Sequence, residues 1–207
     1  PRGEITDGEA REGQEKKKED KKVLSHAGAG GVGHIANKVA KIAGADVGTT
    51  VGSQEKMDLT HALGADLAIL YKEKDFVEAV LEWTNNKGVE VALDTVGGNT
   101  FEKSIHAMAT YGDLVTLLQP SSDIDWKTER LKNLRISLEL MLTPMFYSDI
   151  NALQHQASIL QQCSALIDEG KLKINVSDTF PLEKAAEAHA LLESGGRTGK
   201  IVLAIGT

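Results

Sequence analysis

A run of glycines near the start of the chain constrains the fold more than any other feature. The segment Gly28-Ala29-Gly30-Gly31-Val32-Gly33, here called the glycine loop, matches the pattern G-x-G-x-x-G. It follows an apolar stretch, Lys22–Ala27, that is predicted to be a strand, and it precedes a helix predicted over His34–Ala43. In this context the three pattern glycines permit a tight turn, close approach to a pyrophosphate and close helix–strand packing. The free N–H groups and the helix dipole attract the anion. The alternative is a glycine-rich turn without a ligand.

Strand and helix signals alternate after the loop. In the first helix Ile35, Val39 and Ile42 lie on one face, with Ala36, Ala40 and Ala43 beside them, which indicates an amphipathic helix. Further strands are predicted over Asp46–Val51, Asp66–Leu70, Val89–Asp94, Gly112–Leu118 and Arg135–Leu142, and helices over Ser53–Leu63, Asp75–Trp83 and Asn99–Ala109. This order predicts an α/β fold: a Rossmann, doubly wound parallel six-stranded sheet with helices on both faces.

The pattern changes after Pro144. A long helix is predicted over Asp149–Glu169, followed by a strand-like Leu172–Phe180, a short helix from Pro181 and a last strand, Lys200–Ile205. These elements form a C-terminal α+β return segment. At the other end, residues 1–22 interleave acidic and basic side chains around a single bulky apolar residue, Ile5, which predicts a charged, disordered tail.

Composition excludes several function classes. The formal net charge of −7 provides no basic field for nucleic acid or an anionic membrane surface. No apolar run approaches the length of a membrane helix and no signal peptide is apparent, so a soluble, cytoplasmic protein is expected. The only cysteine, Cys163, excludes an internal disulfide, and the histidines lack paired ligand spacing, so no metal site is expected in this chain.

The end of the second predicted strand indicates which dinucleotide the loop would hold. The segment from Thr49 to Lys56 has no carboxylate at the strand end, where a site for NAD(H) usually places one to bind the ribose hydroxyls. Ser53 can donate a hydrogen bond to a 2′-phosphate and Lys56 can supply a compensating charge, so NADP(H) is preferred and NAD(H) remains possible. A helix N-cap is the alternative role of Ser53, and it is compatible with phosphate binding.

Other cofactor contacts are expected where further strands end. In open α/β sheets ligands bind at the carboxyl ends of the strands. We therefore expect contacts from Asp94, Val96 and Gly97 after the fourth strand, and from Leu117 and Leu118 after the fifth. A turn or N-cap role is the alternative for Asp94. His26 and His34 flank the glycine loop and are candidates for contact with phosphate.

These motifs together resemble the medium-chain dehydrogenase/reductase superfamily, and are most similar to its zinc-independent quinone oxidoreductase branch. The similarity covers roughly residues 23–205 and includes the following segments: Val23–Gly33, Gly52-Ser53-x-x-Lys56, Leu63–Asp66, Leu70-Tyr71, Asp94–Gly98, Phe180–Leu182, Ala185–His189 and Gly199–Leu203.

The resemblance implies roles for particular residues. Gly52 belongs to the matched motif, and Ser53, Lys56 and Tyr71 would surround the adenosine 2′-phosphate. The loops at Gly97 and Leu118 would approach the ribose and nicotinamide ends. Tyr71 has the alternative of a half-buried aromatic at a strand end. The family often forms homodimers by pairing sheet edges, so Arg135–Leu142 is a candidate dimer strand, and a central buried strand is the alternative.

The resemblance also divides the chain and suggests a function. Residues 23–146 would form the NADP(H)-binding domain, and residues 147–207 a segment that packs on an N-terminal GroES-like catalytic domain, which is not visible here. No catalytic residue is assigned. The chain would be the cofactor-binding part of an NADPH-dependent oxidoreductase that transfers hydride to a quinone, enone or related carbonyl acceptor. The alternatives are a zinc-dependent alcohol dehydrogenase with its metal ligands in that other domain, and a non-catalytic NADP(H)-binding or redox-sensing module.

Overall fold

The computed structural model describes residues 21–122, 124 and 126–206, so the tail predicted over residues 1–22 lies almost wholly outside the described residues. The strands are β1 (Lys22–Ser25), β2 (Asp46–Val51), β3 (Leu67–Leu70), β4 (Val89–Asp94), β5 (Met108–Thr116), β6 (Arg135–Leu138), β7 (Val176–Pro181) and β8 (Lys200–Ala204). The helices are α1 (Gly33–Ile42), α2 (Gln54–Ala62), α3 (Phe76–Trp83), α4 (Asn99–Ala107), α5 (Lys127–Lys132), α6 (Thr143–Phe146), α7 (Ile150–Asp168) and α8 (Ala185–Glu193), which a 3-10 turn, Leu182–Lys184, precedes.

The main sheet has the order β3-β2-β1-β4-β5-β6, and every neighbouring pair is parallel. This confirms the predicted six-stranded Rossmann sheet. Right-handed crossovers place α1 and α2 on one face and α3 and α4 on the other. The order reverses between β1 and β4, so the glycine loop, which follows β1, lies at the switch point. β7 and β8 form a separate parallel pair.

Polar side chains mark where several helices begin. Ser53 caps α2, Asp75 caps α3 by accepting from the N–H groups of Val77 and Glu78, and Asp149 caps α7. Such caps satisfy N–H groups that have no partner within the helix. The predicted bounds of these helices included the capping residues and are otherwise close to the observed ones.

The apolar core lies mainly between the sheet and helices α3 and α4. Its members come from strands on one face and from those two helices, and the largest fully buried side chain is Phe101. Burial of such side chains contributes about 2–3 kcal/mol each. The members are Leu24, Ile69, Phe76, Ala79, Val80, Val89, Ala92, Phe101, Ile105, Ala107, Met108 and Leu114.

Helix α1 buries polar residues and leaves part of its apolar face exposed. Val39 and Ile42 are 42% and 41% exposed, whereas His34 and Asn37 are buried. Asn37 accepts a hydrogen bond from the Ser25 hydroxyl beneath the glycine loop. The residues of α1 that are buried are thus Gly33, His34 and Asn37, and the polar groups among them are hydrogen-bonded.

Three predicted strands differ from the structure by four residues at one end, and β1, β3 and β8 differ by only one or two. β5 begins at Met108, where α4 has already ended, and a bulge separates the pairs Val89–Met108 and Val91–Asp113. β6 ends at Leu138 because the following residues turn into α6, which has a proline in its first turn. β7 begins at Val176, four residues later than predicted. Helices α5 and α6 were not predicted.

Strand β6 forms one edge of the main sheet. The alternative of a central buried strand is therefore wrong, and the dimer role of this edge stays a prediction. Among the helices of residues 21–206 that the structure describes, none is long and apolar enough to cross a membrane.

Candidate functional site

The glycine loop turns sharply between β1 and α1. The Gly28 N–H donates to the Thr50 carbonyl of the neighbouring β2 end, and Gly28 packs so closely on β2 that an added Cβ would lie 2.7 Å from Thr49 Cγ2 and 2.8 Å from Asn37 Nδ2. A side chain at this position would displace the loop from the strand. Glycine is therefore needed at this position because the loop packs directly against β2 and Asn37.

The loop presents backbone donors without partners. Within the described part of the chain, the N–H groups of Ala29, Gly31, Val32 and Gly33 have no hydrogen-bond acceptor, and no side chain caps α1. These groups stand at the helix N-terminus, where the helix dipole is positive. The arrangement fits a bound anion such as a pyrophosphate.

A cleft of about 250 Å³ opens beside the loop at the end of β2. Ala29 and Gly30 form one wall, and Lys56, Tyr71 and Arg197 contribute to the others. Neither Lys56 nor Arg197 has a carboxylate partner among the described residues. Two unpaired cations in one cleft favour an anionic ligand there.

Arg197 is the site residue that sequence reasoning missed. It follows Gly195 and Gly196 in the loop between α8 and β8, far along the chain from Lys56. The two residues meet because the C-terminal segment lies against the glycine loop. The only signal in the sequence was an unexplained arginine after two glycines, which does not indicate a ligand by itself.

Ser53 and Tyr71 lie just after the carboxyl ends of β2 and β3, as the sequence predicts. Ser53 caps α2, since its hydroxyl oxygen accepts from the Lys56 N–H at 3.4 Å, and its own hydrogen has no acceptor among the described residues. Tyr71 is 54% exposed, and its hydroxyl lies 3.0 Å from the position of a Cβ added to Gly52. Tyr71 lines the cleft, and Ser53 directly follows Gly52, which also lines it.

A second cleft of about 340 Å³ adjoins the first and shares Ala27, Thr50 and Tyr71 with it. Phe76 and Val96 supply apolar walls, and Lys103 stands at its rim, where it is paired with Asp75. The apolar walls suit a planar aromatic ring, and Asn99 and Thr100 add polar groups to the lining.

Asp94 stabilises the loops that follow β4 and β5. This carboxylate is fully buried, and it accepts from the N–H groups of Val96 and Gly97 and from the Thr116 hydroxyl. All of its bonds serve the loop turn, as the alternative role for Asp94 predicts. Leu117 and Leu118 are exposed at the end of β5, and a Cβ on Gly97 would lie 3.0 Å from that of Leu118.

His26 is held beneath the loop by a directional chain of hydrogen bonds. The Ser104 hydroxyl donates to the Thr100 carbonyl at 2.6 Å, so it accepts from His26 Nε2–H at 2.8 Å. His26 Nδ1 then accepts from the Thr50 hydroxyl at 3.1 Å, and the Thr50 oxygen accepts from the Ala27 N–H. The chain requires a neutral ring.

The surroundings of His26 also favour the neutral ring. Its plane meets Phe76 edge-on at a centroid distance of 4.8 Å. Burial lowers the pKa of His26 from its ordinary 6.5 to about 4, against a smaller opposing effect of the Asp94 carboxylate. The hypothesis that His26 contacts phosphate is wrong, because both of its nitrogens are occupied and the side chain is 1% exposed.

His34 is likewise unavailable to a phosphate. Its Nδ1–H donates to the Gly30 carbonyl at 2.7 Å, and its Nε2 accepts from the Asn175 N–H at 3.2 Å. The side chain is fully buried, and burial lowers its pKa. The hypothesis that it binds phosphate fails for the same reason as for His26.

Across residues 21–206, apart from the two positions that are not described, no group of three or more His, Cys, Asp or Glu side chains is arranged to hold a metal ion.

Comparison with known proteins identifies the relatives of this arrangement. The model of the zinc-binding dehydrogenase family matches residues 63–203. Quinone oxidoreductase 1 of Escherichia coli (strain K12) is 33% identical over 188 residues, which are 90% of this chain and 57% of that protein. A 2-haloacrylate reductase of a Burkholderia species is 34% identical over 185 residues, which are 87% of this chain and 54% of that protein.

The fold comparison agrees. The crystal structure of Escherichia coli quinone oxidoreductase complexed with NADPH matches with a TM-score of 0.77 and 30% identity, over 96% of this chain and 61% of that one. The chain thus spans little more than half of the length of these oxidoreductases, and only 8% of a Mycobacterium tuberculosis polyketide synthase subunit to which it is 32% identical.

Proposed function

The chain belongs to the zinc-binding dehydrogenase family of medium-chain dehydrogenase/reductases, and from that membership we propose that it forms the NADP(H)-binding part of an oxidoreductase. The observation that carries the proposal is the glycine loop with its unpaired N–H groups beside a cleft that contains Lys56 and Arg197. The NADPH complex of the Escherichia coli relative supports it.

The described residues fit such a cofactor. The pyrophosphate lies on the N–H groups of Gly31, Val32 and Gly33 at the start of α1. Lys200 adds charge there, since its Nζ lies 3.5 Å from the position of a Cβ on Gly31. The adjoining cleft near Val96 takes the adenine ring.

Preference for NADP(H) over NAD(H) follows from the cations. We assign Lys56, Arg197 and the Tyr71 and Ser53 hydroxyls to the 2′-phosphate of the adenosine ribose. Gly52 keeps the end of β2 free of a side chain beside Tyr71. An acidic side chain at the end of β2 would repel that phosphate, and the strand ends in Thr50 and Val51.

The ribose and nicotinamide ends would lie along the loops at Gly97, Leu117 and Leu118, beyond the adenine cleft. Asp94 acts through those loops by holding their N–H groups. When bound, the nicotinamide supplies the hydride, so the chain's own task is to position the ring. The acceptor is a quinone, enone or related carbonyl compound, which the names of the quinone oxidoreductase and 2-haloacrylate reductase relatives support.

Two organisational proposals accompany this function. Residues 23–146 act as the cofactor domain, and residues 147–207 pack on further structure, which is consistent with α7 having no buried residue. The free edge at β6 pairs with a second copy to form a homodimer.

Cofactor titration tests the proposal. NADPH and NADH fluorescence is followed on addition of the chain, for the wild type, Lys56→Gln and Arg197→Gln. We expect tighter binding of NADPH than NADH, and a loss of about tenfold or more in NADPH affinity for each variant, because each removes a charge-assisted hydrogen bond. Lys87→Gln is the matched control, since Lys87 is exposed just before β4, at the opposite end of the sheet. Equal affinity for NADPH and NADH, or no binding, contradicts the proposal.

A further inference from the structure

We propose that His34 is a positioning residue that ties the glycine loop to the C-terminal segment and thereby sets the place of Arg197 in the cleft. This inference rests on the proposed function, because it concerns the cation that we assign to the 2′-phosphate. It goes further by naming a buried side chain, remote from the phosphate, that determines cofactor preference.

The imidazole of His34 bridges two parts of the chain. Nδ1–H donates to the Gly30 carbonyl inside the glycine loop, and Nε2 accepts from the N–H of Asn175, the residue immediately before β7. The two partners are a carbonyl, which only accepts, and an N–H, which only donates. They therefore fix the ring as the neutral Nδ1–H tautomer.

Asn175 passes this contact on to the loop that carries Arg197. Its carbonyl accepts from the Lys200 N–H at 2.8 Å, and the Gly199 N–H donates to the Ala29 carbonyl at 2.8 Å. Gly199 has a φ of +62°, and a Cβ added there would lie 2.6 Å from Asn175 Nδ2. The segment before β8 is thus held tightly against both Asn175 and the glycine loop.

These hydrogen bonds, from Asn175 to His34, from Lys200 to Asn175 and from Gly199 to Ala29, are here called the seam. Arg197 lies two residues before Gly199. Its side chain is exposed and has no hydrogen-bond or ion-pair partner among the described residues, so its position depends on the backbone that carries it. A displacement of about 1 Å at a binding group is enough to weaken a directional contact substantially. Loss of the contact between His34 and Asn175 releases one of the bonds that fix that backbone.

Protonation of His34 opens the seam. A protonated ring has an N–H at both nitrogens, so Nε2–H would face the Asn175 N–H, and two donors cannot bond. The charged groups that face the ring are Lys38 of α1 and Lys200 of β8, and both cations oppose a second positive charge. With burial, they keep the pKa of His34 below 6.5, so the seam is closed at neutral pH and opens in acid.

Two matched variants separate the bonds of the ring. His34→Asn keeps an amide donor near the position of Nδ1, and it is too short to reach Asn175. His34→Gln places a carbonyl oxygen near the position of Nε2, where it accepts from the Asn175 N–H without titrating. The measurement is the dissociation constant of NADPH and of NADH for each variant of the 207-residue chain, from pH 5 to pH 8.

The expected result is selective. His34→Asn loses roughly tenfold in NADPH affinity and less than about twofold in NADH affinity, whereas His34→Gln stays near the wild type. Arg197→Gln, which weakens NADPH binding in the wild type, has little further effect in the His34→Asn background. Below pH 6.5 the NADPH preference of the wild type falls more steeply than that of His34→Gln. Titration of the 2′-phosphate affects both proteins alike, so the difference between them reports His34.

Different failures have different meanings. If the wild type does not bind NADPH, the proposed function and this inference both fall. If the wild type binds NADPH but His34→Asn weakens NADPH and NADH equally, His34 is only structural and the positioning role is wrong. If His34→Asn does not fold, the pH profiles of the wild type and His34→Gln decide, and parallel profiles overturn the inference.

Discussion

The neutral, buried His26 makes the protein sensitive to acid in a defined window. The folded-state pKa of about 4 lies below the ordinary value of 6.5, so the unfolded chain takes up this proton first as the pH falls. The stability that the neutral ring provides is complete above pH 6.5 and is lost progressively towards pH 4. The gap between the two pKa values corresponds to about 3 kcal/mol of unfolding free energy.

Other groups respond to acid as well, so a non-titrating comparator is needed. The pKa of His34 is lowered by burial, and the pKa values of Asp66 and Asp75 are also lowered, the latter chiefly by the Lys103 hydrogen bond. The contribution of each of these three groups to the unfolding free energy falls as the pH falls. His26→Gln retains these groups and an amide donor towards Ser104, so the difference between the wild type and this variant isolates His26.

The assay is urea unfolding of the wild type and His26→Gln at pH values from 7.5 to 4. The wild type should lose about 3 kcal/mol more unfolding free energy than the variant between pH 6.5 and pH 4, with nearly all of the difference below pH 6. Imidazole nitrogen NMR should report a neutral Nε2–H ring at pH 6. A ring that titrates near pH 6.5, or unfolding curves that shift in parallel, would refute the burial and hydrogen-bond argument.

Two further predictions concern stability alone. Lys132 Nζ donates to the carbonyls of Ile105, His106 and Met108 at the end of α4, so Lys132→Met should lower the unfolding free energy by about 1–3 kcal/mol in urea unfolding. Arg130→Met, at an exposed position of α5, the helix that also carries Lys132, should change the unfolding free energy by less than about 0.5 kcal/mol. Equal losses for the two variants would contradict the role of Lys132 in capping α4. Gly28→Ala should cost about 1–3 kcal/mol even without cofactor, because its Cβ meets Thr49 and Asn37, and wild-type stability in thermal unfolding would refute this.

The sequence predicts the parallel sheet well because its signals are local. The strands Asp46–Val51 and Val89–Asp94 have their predicted bounds, since both segments are rich in valine and have glycines close to each end. The start of β5 is different. Met108 pairs with Val89, and the register then shifts at a bulge before Val91 pairs with Asp113. This pairing depends on both strands and is not encoded in either segment alone. The exposed Val39 of α1 reflects the same limit, since the buried Asn37 depends on a partner in β1.

The candidate site divides in the same way. Ser53, Lys56 and Tyr71 follow consecutive strands, so the rule that strand ends meet at one edge brings them together from sequence alone. Arg197 and Asn175 reach the loop only through the docking of the C-terminal segment, which involves contacts more than a hundred residues apart, such as that of His34 with Asn175. The hypothesis that His26 and His34 contact phosphate was wrong because the sequence does not show the hydrogen-bond partners that occupy their nitrogens.

The central claim is that the unpaired N–H groups of the glycine loop bind the pyrophosphate of NADP(H). Amide NMR spectra of the chain, recorded during a titration with NADP⁺, test it most directly. The account predicts that the Gly31, Val32 and Gly33 amide signals shift most and saturate together, with those of Lys56 and Arg197 following, while amides before β4 such as Lys87 stay in place. Saturable binding that leaves the loop amides unmoved, or no shift at any cofactor concentration, would contradict it.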